Sequence, residues 1–174
     1  MRDTFIVLNQ MVSDGVISRY ALGGAVGATF YLEPVATLDV DIFVFLGENT
    51  SSALLSLGPI YDYVLARGYR AEGEHLVIGD WPVQFLPPNG PLEEEAITSA
   101  TSQSLEGIPL WVMSAEHLVA IALKTGRAKD FARILQFIES GVLDAPALDD
   151  IFLRHGLLDK WEVFVNRFLG SNDV

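Results

Sequence analysis

Two acids one residue apart open an apolar, β-branched run, Leu38-Asp39-Val40-Asp41-Ile42-Phe43-Val44-Phe45. In an extended strand Asp39 and Asp41 project from the same side. Like charges held together beside apolar residues are costly unless a cation or hydrogen-bond donors compensate them. A divalent metal with oxygen ligands, Mg²⁺ by preference, is such a compensator, and a nucleoside triphosphate is a usual reason to hold it. A second reading of the same pair makes Asp39 a turn residue and Asp41 a strand-end charge facing water.

Composition narrows the classes. The 174 residues suit one domain, or one domain with a small helical annex, and with half of them hydrophobic they can bury a core. No window reaches the roughly 18 apolar residues of a membrane helix, so no membrane association is expected. The start, Met1-Arg2-Asp3-Thr4-Phe5, lacks a signal-peptide pattern. The absence of cysteine excludes disulfides, thiolate metal sites and a cysteine nucleophile, and accords with a cytoplasmic setting. Eleven basic against 23 acidic residues leave a net charge of −12, which repels nucleic-acid phosphates and argues against non-specific DNA binding.

The order of elements reads α/β first and all-α last. Residues 3–12 form an amphipathic helix with Phe5, Leu8 and Met11 inward. Residues 17–22 form a strand that runs into Gly23-Gly24, 25–32 a short helix stopped by Glu33-Pro34, and 37–46 a central strand. A helix over 50–68, interrupted at Gly58-Pro59, precedes strands at 69–72, 75–78 and 82–86, with Gly79-Asp80 as a hairpin turn. A helix at 92–99 and a strand at 108–113 complete this part. Ser114 caps the first of four helices, at 116–124, 128–140, 146–154 and 158–169. The division is therefore an α/β core over 1–113 and a helical region over 114–174 packed on it.

Strand, glycine pair, short helix, then a strand with Asp-x-Asp is the order of the nucleotidyltransferase fold of the DNA polymerase β type, and the sequence resembles that superfamily. Ala21-Leu22-Gly23-Gly24-Ala25 looks like its glycine motif. Glu33-Pro34-Val35-Ala36-Thr37-Leu38-Asp39-Val40-Asp41-Ile42 looks like the acidic motif of the minimal nucleotidyltransferases, in particular the AbiEii-like group. Downstream, Glu116-His117-Leu118-Val119-Ala120-Ile121-Ala122-Leu123-Lys124 followed by Gly126-Arg127-Ala128-Lys129-Asp130 is similar to that group's lysine helix and Arg-x-Lys-Asp helix start. The resemblance covers residues 17–140. It implies a mixed β-sheet flanked by helices and followed by a helical bundle. It also implies a Mg²⁺ (or Mn²⁺) ion on Asp39 and Asp41, and phosphates cradled by Gly23 and Gly24 and contacted by Thr37, Lys124 and Arg127. The activity implied is transfer of a nucleoside monophosphate from a nucleoside triphosphate to a hydroxyl of RNA, protein or a small molecule. Some relatives are toxins held by an antitoxin, so an antitoxin or a second copy of the chain is a partner the resemblance admits.

The sequence departs from the pattern at one telling place. The superfamily's third carboxylate belongs on the strand after the hairpin, Trp81-Pro82-Val83-Gln84-Phe85-Leu86, and the residue there is Gln84. Glutamine offers a metal one carbonyl oxygen but takes no proton near neutral pH. Either Asp80 in the adjacent turn substitutes, or the chain is a catalytically impaired nucleotide-binding or protein-interaction module of the same fold. The arginine that often stands two residues before the motif's threonine is Val35 here. His75, His117 and His155 have no metal-ligand spacing and read as surface or helix residues. Trp81, Trp111 and Trp161 read as core or subunit-contact residues. The apolar C-terminal positions Ile151, Phe152, Leu157, Leu158, Trp161, Phe164, Val165 and Phe168 suit either the core or a partner subunit.

Overall fold

The computed structural model describes residues 1–34, 37, 39–47 and 57–170. The chain divides into two compact units, Met1–Ser114 and Ala115–Val174. The first is a mixed seven-stranded sheet with helices, the nucleotidyltransferase-like architecture. Its elements run α1 (Arg2–Ser13), β1 (Ile17–Leu22), α2 (Gly24–Ala28), β2 (Val40–Leu46), α3 (Gly58–Leu65), β3 (Arg70–Glu72), β4 (His75–Ile78), β5 (Trp81–Leu86), α4 (Pro91–Thr98), β6 (Thr101–Leu105) and β7 (Ile108–Val112). The sheet order is β3-β4-β5-β2-β1-β7-β6, with β2 in the middle. β2 is antiparallel to β1 and parallel to β5, and β1 is parallel to β7.

The period-2 pattern of β2 decides what each face of the sheet does. Val40, Ile42 and Val44 are fully buried, joined by Tyr20 and Leu22 of β1, Leu76 and Ile78 of β4, and Val83 and Phe85 of β5. Against them α1 sets Phe5, Leu8 and Met11, and α3 sets Ile60 and Val64. Each such aliphatic or aromatic side chain contributes about 1.5–3 kcal/mol by leaving water. Asp41, Phe43 and Phe45 alternate to the opposite face and are half-buried. α4 lies over β1 and β2 with Leu92, Ala96 and Ile97 buried and outside that core cluster, so it covers this second face. The buried Tyr20 donates its hydroxyl to Asn9 Oδ1 at 3.0 Å and meets Trp111 edge-on, with ring centroids 5.4 Å apart. Burial pushes its phenol pKa up.

The second unit consists of α5 (Ala115–Thr125), α6 (Ala128–Ser140), α7 (Ala145–Arg154) and α8 (Leu158–Phe168). An aromatic ladder joins its last helices: Phe152 to Trp161 at 5.0 Å, Trp161 stacked on Phe164 at 5.3 Å, and Phe164 to Phe168 at 5.0 Å. Phe131 of α6 meets Phe164 and Phe168 at 5.7 and 5.4 Å. Among the described residues no helix is long and apolar enough to cross a membrane.

Three details differ from expectation. β6, Thr-Ser-Gln-Ser-Leu, is a strand that apolar periodicity does not announce, because it is an edge strand whose first four residues are exposed. Its pairing with β7 is set by the turn at Glu106 (φ +51°) and Gly107 (φ +77°), whose two left-handed residues match the twist of a two-residue hairpin. The helix after the glycine pair stops at Ala28, where Thr29 Oγ1 turns back on the Val26 carbonyl at 2.7 Å. The helix expected from residue 50 is described only as Gly58–Leu65; Val35, Ala36, Leu38 and 48–56 lie outside the described residues.

α3 is tied back to the end of α1. Tyr63 donates to Asp14 Oδ2 at 2.6 Å, and Arg67 pairs with the same oxygen at 3.2 Å while lying 3.3 Å above the Tyr63 ring. Burial, then the Asp14 hydrogen bond, raise the Tyr63 pKa to about 12, against a smaller opposing pull from Arg67. Because the folded chain holds that proton more tightly than the unfolded one, this stability is complete below the ordinary phenol value of about 10 and is lost as pH rises through the folded value. Denaturant titrations should show an alkaline loss of stability over that window that is smaller in Tyr63→Phe; an unchanged loss would contradict the linkage.

Candidate active site

The glycine pair is fixed by what lies against it. The Gly23 N–H donates to the Asp41 carbonyl at 3.0 Å, bringing the β1–α2 turn beside the acidic strand. A Cβ at Gly23 would stand 2.6 Å from the Phe43 ring. At Gly24 the backbone has φ +56°, and a Cβ would overlap the Asp41 carboxylate. Only glycine combines that conformation with that approach. The close side-chain neighbours of the pair are thus Phe43 at Gly23 and Asp41 at Gly24.

Asp39 stands one residue before β2, on the Asp41 side. The Thr37 hydroxyl is 3.3 Å from Asp39 Oδ1 and 3.2 Å from its carbonyl oxygen. Asp39 Oδ2 lies 3.7 Å from Nε2 of His75, and their side chains are 37% and 30% exposed, so solutes can reach the pair. Asp41 pairs directly with Gln84 in the parallel β2–β5 ladder. The antiparallel β4–β5 register matches Leu76 with Val83, so one step further sets His75 beside Gln84, and β3 matches Glu72 with His75. Glu72, His75, Gln84 and Asp41 therefore form one row across four strands, on the face opposite the core, with Gly23 next to Asp41 just past the end of β1.

Gln84 occupies the position where the resemblance places a third carboxylate. Its amide Nε2 donates to Glu74 Oε2 at 3.4 Å, and the Glu74 carbonyl accepts the Tyr61 hydroxyl at 3.2 Å. Asp80 is four residues before Gln84, about 13 Å along the strand at ~3.3 Å per residue, so it does not replace Gln84 in the row. Among the described residues no three His, Asp or Glu side chains converge as a preformed metal cage. Two carboxylates on one face still fit Mg²⁺, which is bound through one or two carboxylates plus phosphates and water.

Lys124 and Arg127 belong to the second unit. Lys124 lies in the last turn of α5, and its carbonyl accepts Lys160 Nζ at 2.9 Å. Arg127 is the N-cap of α6 in a reciprocal capping box with Asp130. Its guanidinium grips the buried Asp130 carboxylate from Nε at 2.7 Å and from a terminal nitrogen at 3.2 Å, and Arg133 adds a cation 3.9 Å away. The Arg-x-Lys-Asp signature is therefore in part a helix-capping device. Gly23, Gly24, Thr37, Asp39, Asp41 and Gln84 all lie in the first unit, around the row.

Glu74 is a residue that sequence reasoning passed over, and His75 one that it read only as a surface or helix residue. Register arithmetic holds the signal: a hairpin turning at Gly79-Asp80 pairs residues whose numbers sum to 159, which sets 75 against 84.

Solved structures share this architecture. An antigenic nucleotidyltransferase-like protein from Paracoccidioides brasiliensis matches with a TM-score of 0.68 at 15% identity, over 95% of this chain and 87% of its own. The antibiotic-resistance factor ANT(2'')-Ia matches in solution with a TM-score of 0.54 at 16% identity, over 95% of this chain and 96% of its own. Its crystal form in complex with adenylyl-2''-tobramycin gives 0.54 at 16%, over 92% and 98%. At such identities the likeness is one of fold. No protein-family model matches the chain, and no curated protein sequence does.

Gly24→Ala adds an overlap with Asp41 to a left-handed backbone, whereas Gly73→Ala, at φ +61° with open space around it, adds backbone strain alone. Gly73→Ala should cost about 1 kcal/mol and Gly24→Ala about 1–3 kcal/mol more in denaturant unfolding; equal costs would contradict the packing of Asp41 on Gly24.

Proposed function

We propose that the chain is a metal-dependent nucleotidyltransferase that moves a nucleoside monophosphate from a nucleoside triphosphate to a hydroxyl acceptor. The observation that carries this reading is the Asp41 carboxylate lodged on Gly24, with Asp39 on the same face of the central strand. In this reading Asp39 and Asp41 hold Mg²⁺ or Mn²⁺, which when bound neutralises phosphate charge and draws electrons from the α-phosphorus. Thr37 orients Asp39, and the glycine pair lets the phosphates approach. Lys124, which the family resemblance gives as a phosphate contact, belongs to the second unit, and Arg127, already tied to Asp130, acts first as a helix cap. Gln84 holds a neighbouring side chain rather than the metal.

The acceptor is drawn by charge. A surface at −12 disfavours RNA and favours a neutral or cationic hydroxyl compound. ANT(2'')-Ia, alike in fold, is known bound to adenylyl-2''-tobramycin, so a small polar acceptor is the class to try first. A protein acceptor, a cytoplasmic setting, and an AbiEii-like toxin role with an antitoxin partner belong to the same proposal through the Lys124 and Arg127-x-Lys129-Asp130 resemblance. One observation favours a second reading, a catalytically impaired nucleotide-binding module: Gln84 pairs with Asp41 where a carboxylate is expected.

The test is incubation with each α-labelled nucleoside triphosphate and Mg²⁺ or Mn²⁺, with tobramycin, bacterial RNA or cell extract as acceptor. Label should move to one acceptor, and Asp41→Asn should lower the rate at least about 100-fold, the loss of several kcal/mol of transition-state stabilisation, with its melting temperature kept. No transfer under any condition would leave the binding-module reading in its place.

A further inference from the structure

Transfer to a hydroxyl releases a proton, and the row beside Asp41 offers an amide where a carboxylate would receive it. The amide is not idle. Gln84 Nε2 donates to the Glu74 carboxylate at 3.4 Å, so the residue that interrupts the acidic pattern holds another acid close by. Glu74 is fixed from its backbone side as well: Gly73, at φ +61°, makes the turn from β3, and Tyr61 of α3 donates to the Glu74 carbonyl at 3.2 Å. The residue is exposed, so an acceptor can reach it. Electrostatics favour the exchange. A carboxylate at 84 would be a third like charge against Asp41 and Asp39, one strand spacing of about 4.8 Å away. An amide at 84 with the acid one strand further out keeps a proton acceptor within reach and lowers that repulsion. Neighbouring side chains are otherwise engaged: Arg70 pairs with Glu72 at 2.6 Å, and His75 Nε2 lies 3.7 Å from Asp39 Oδ2.

We propose that Glu74, held by Gln84, takes the proton of the acceptor hydroxyl, the acid absent from β5 having moved to the head of β4. This rests on the transferase reading above. As the acceptor oxygen forms its bond to the α-phosphorus, its proton passes to a Glu74 carboxylate oxygen. The bond from the α-phosphorus to the bridging oxygen breaks, and its electron pair leaves with pyrophosphate. Glu74 then returns the proton to water.

The test uses the full chain, its best nucleoside triphosphate and tobramycin or RNA, whichever accepts label. Glu74→Gln should lower kcat about 100-fold or more, the usual worth of a general base, while KM for the nucleotide and its calorimetric affinity with Mg²⁺ stay within threefold. Adding Gln84→Asp to that variant should restore kcat at least tenfold, since it returns the carboxylate to β5. His75→Gln should leave more activity than Glu74→Gln. Glu74→Gln with kcat within threefold of the parent overturns the inference and leaves the transferase reading standing. Nucleotide affinity lost together with kcat, no recovery in the double variant, or a larger loss in His75→Gln also overturns it. A parent chain that transfers nothing overturns both.

Discussion

The contact between the Asp41 carboxylate and the Gly24 backbone is the constraint on which the rest of the site depends. It requires a residue without Cβ in a left-handed conformation at the end of β1. It also requires β1 to pair with β2 in one register, which the Gly23 N–H to Asp41 carbonyl bond locks. A one-residue slip of β2 would send Asp41 into the core among Phe5, Leu8 and Ile60, and bring Val40 and Ile42 out. Burial of the apolar face thus holds the acids on the opposite face, where α4 lies over β1 and β2 while the Asp39 and His75 side chains stay partly exposed.

Charge is distributed unevenly between the two units. Residues 1–114 hold 4 basic and 14 acidic residues, a net of −10, while residues 115–174 hold 7 and 9, a net of −2. Of the four cations in the first unit, Arg67 pairs with Asp14 and Arg70 with Glu72. In the proposed function, a polyphosphate brought to Asp39 and Asp41 would meet an acidic surface, which a divalent cation would offset directly. On that proposal the same field would turn away anionic acceptors, so the donor would be bound through metal and the acceptor selected against negative charge.

Much of the architecture was legible. The alternation in β2, the glycine pair, the inward face of α1 and the switch from mixed to helical elements each follow from periodicity and turn chemistry, because those residues bury one face. The fold class came from their order. Less visible were features whose cause is pairing rather than burial. β6 is polar and exposed, and only its ladder with β7 makes it a strand. His75 reads as a surface histidine until β4 is set against β5, and Glu74 reads as a turn acid until Gln84 reaches it. Arg127 reads as a phosphate ligand, yet its nearest demand is the buried Asp130, which no amphipathic pattern marks as buried.

The most direct measurement is anomalous diffraction from crystals grown with a non-hydrolysable nucleoside triphosphate analogue and Mn²⁺. The account predicts a manganese peak within coordinating distance of both Asp39 and Asp41, with the triphosphate alongside the glycine pair. A nucleotide bound elsewhere, or a metal that ignores these two carboxylates, would contradict it.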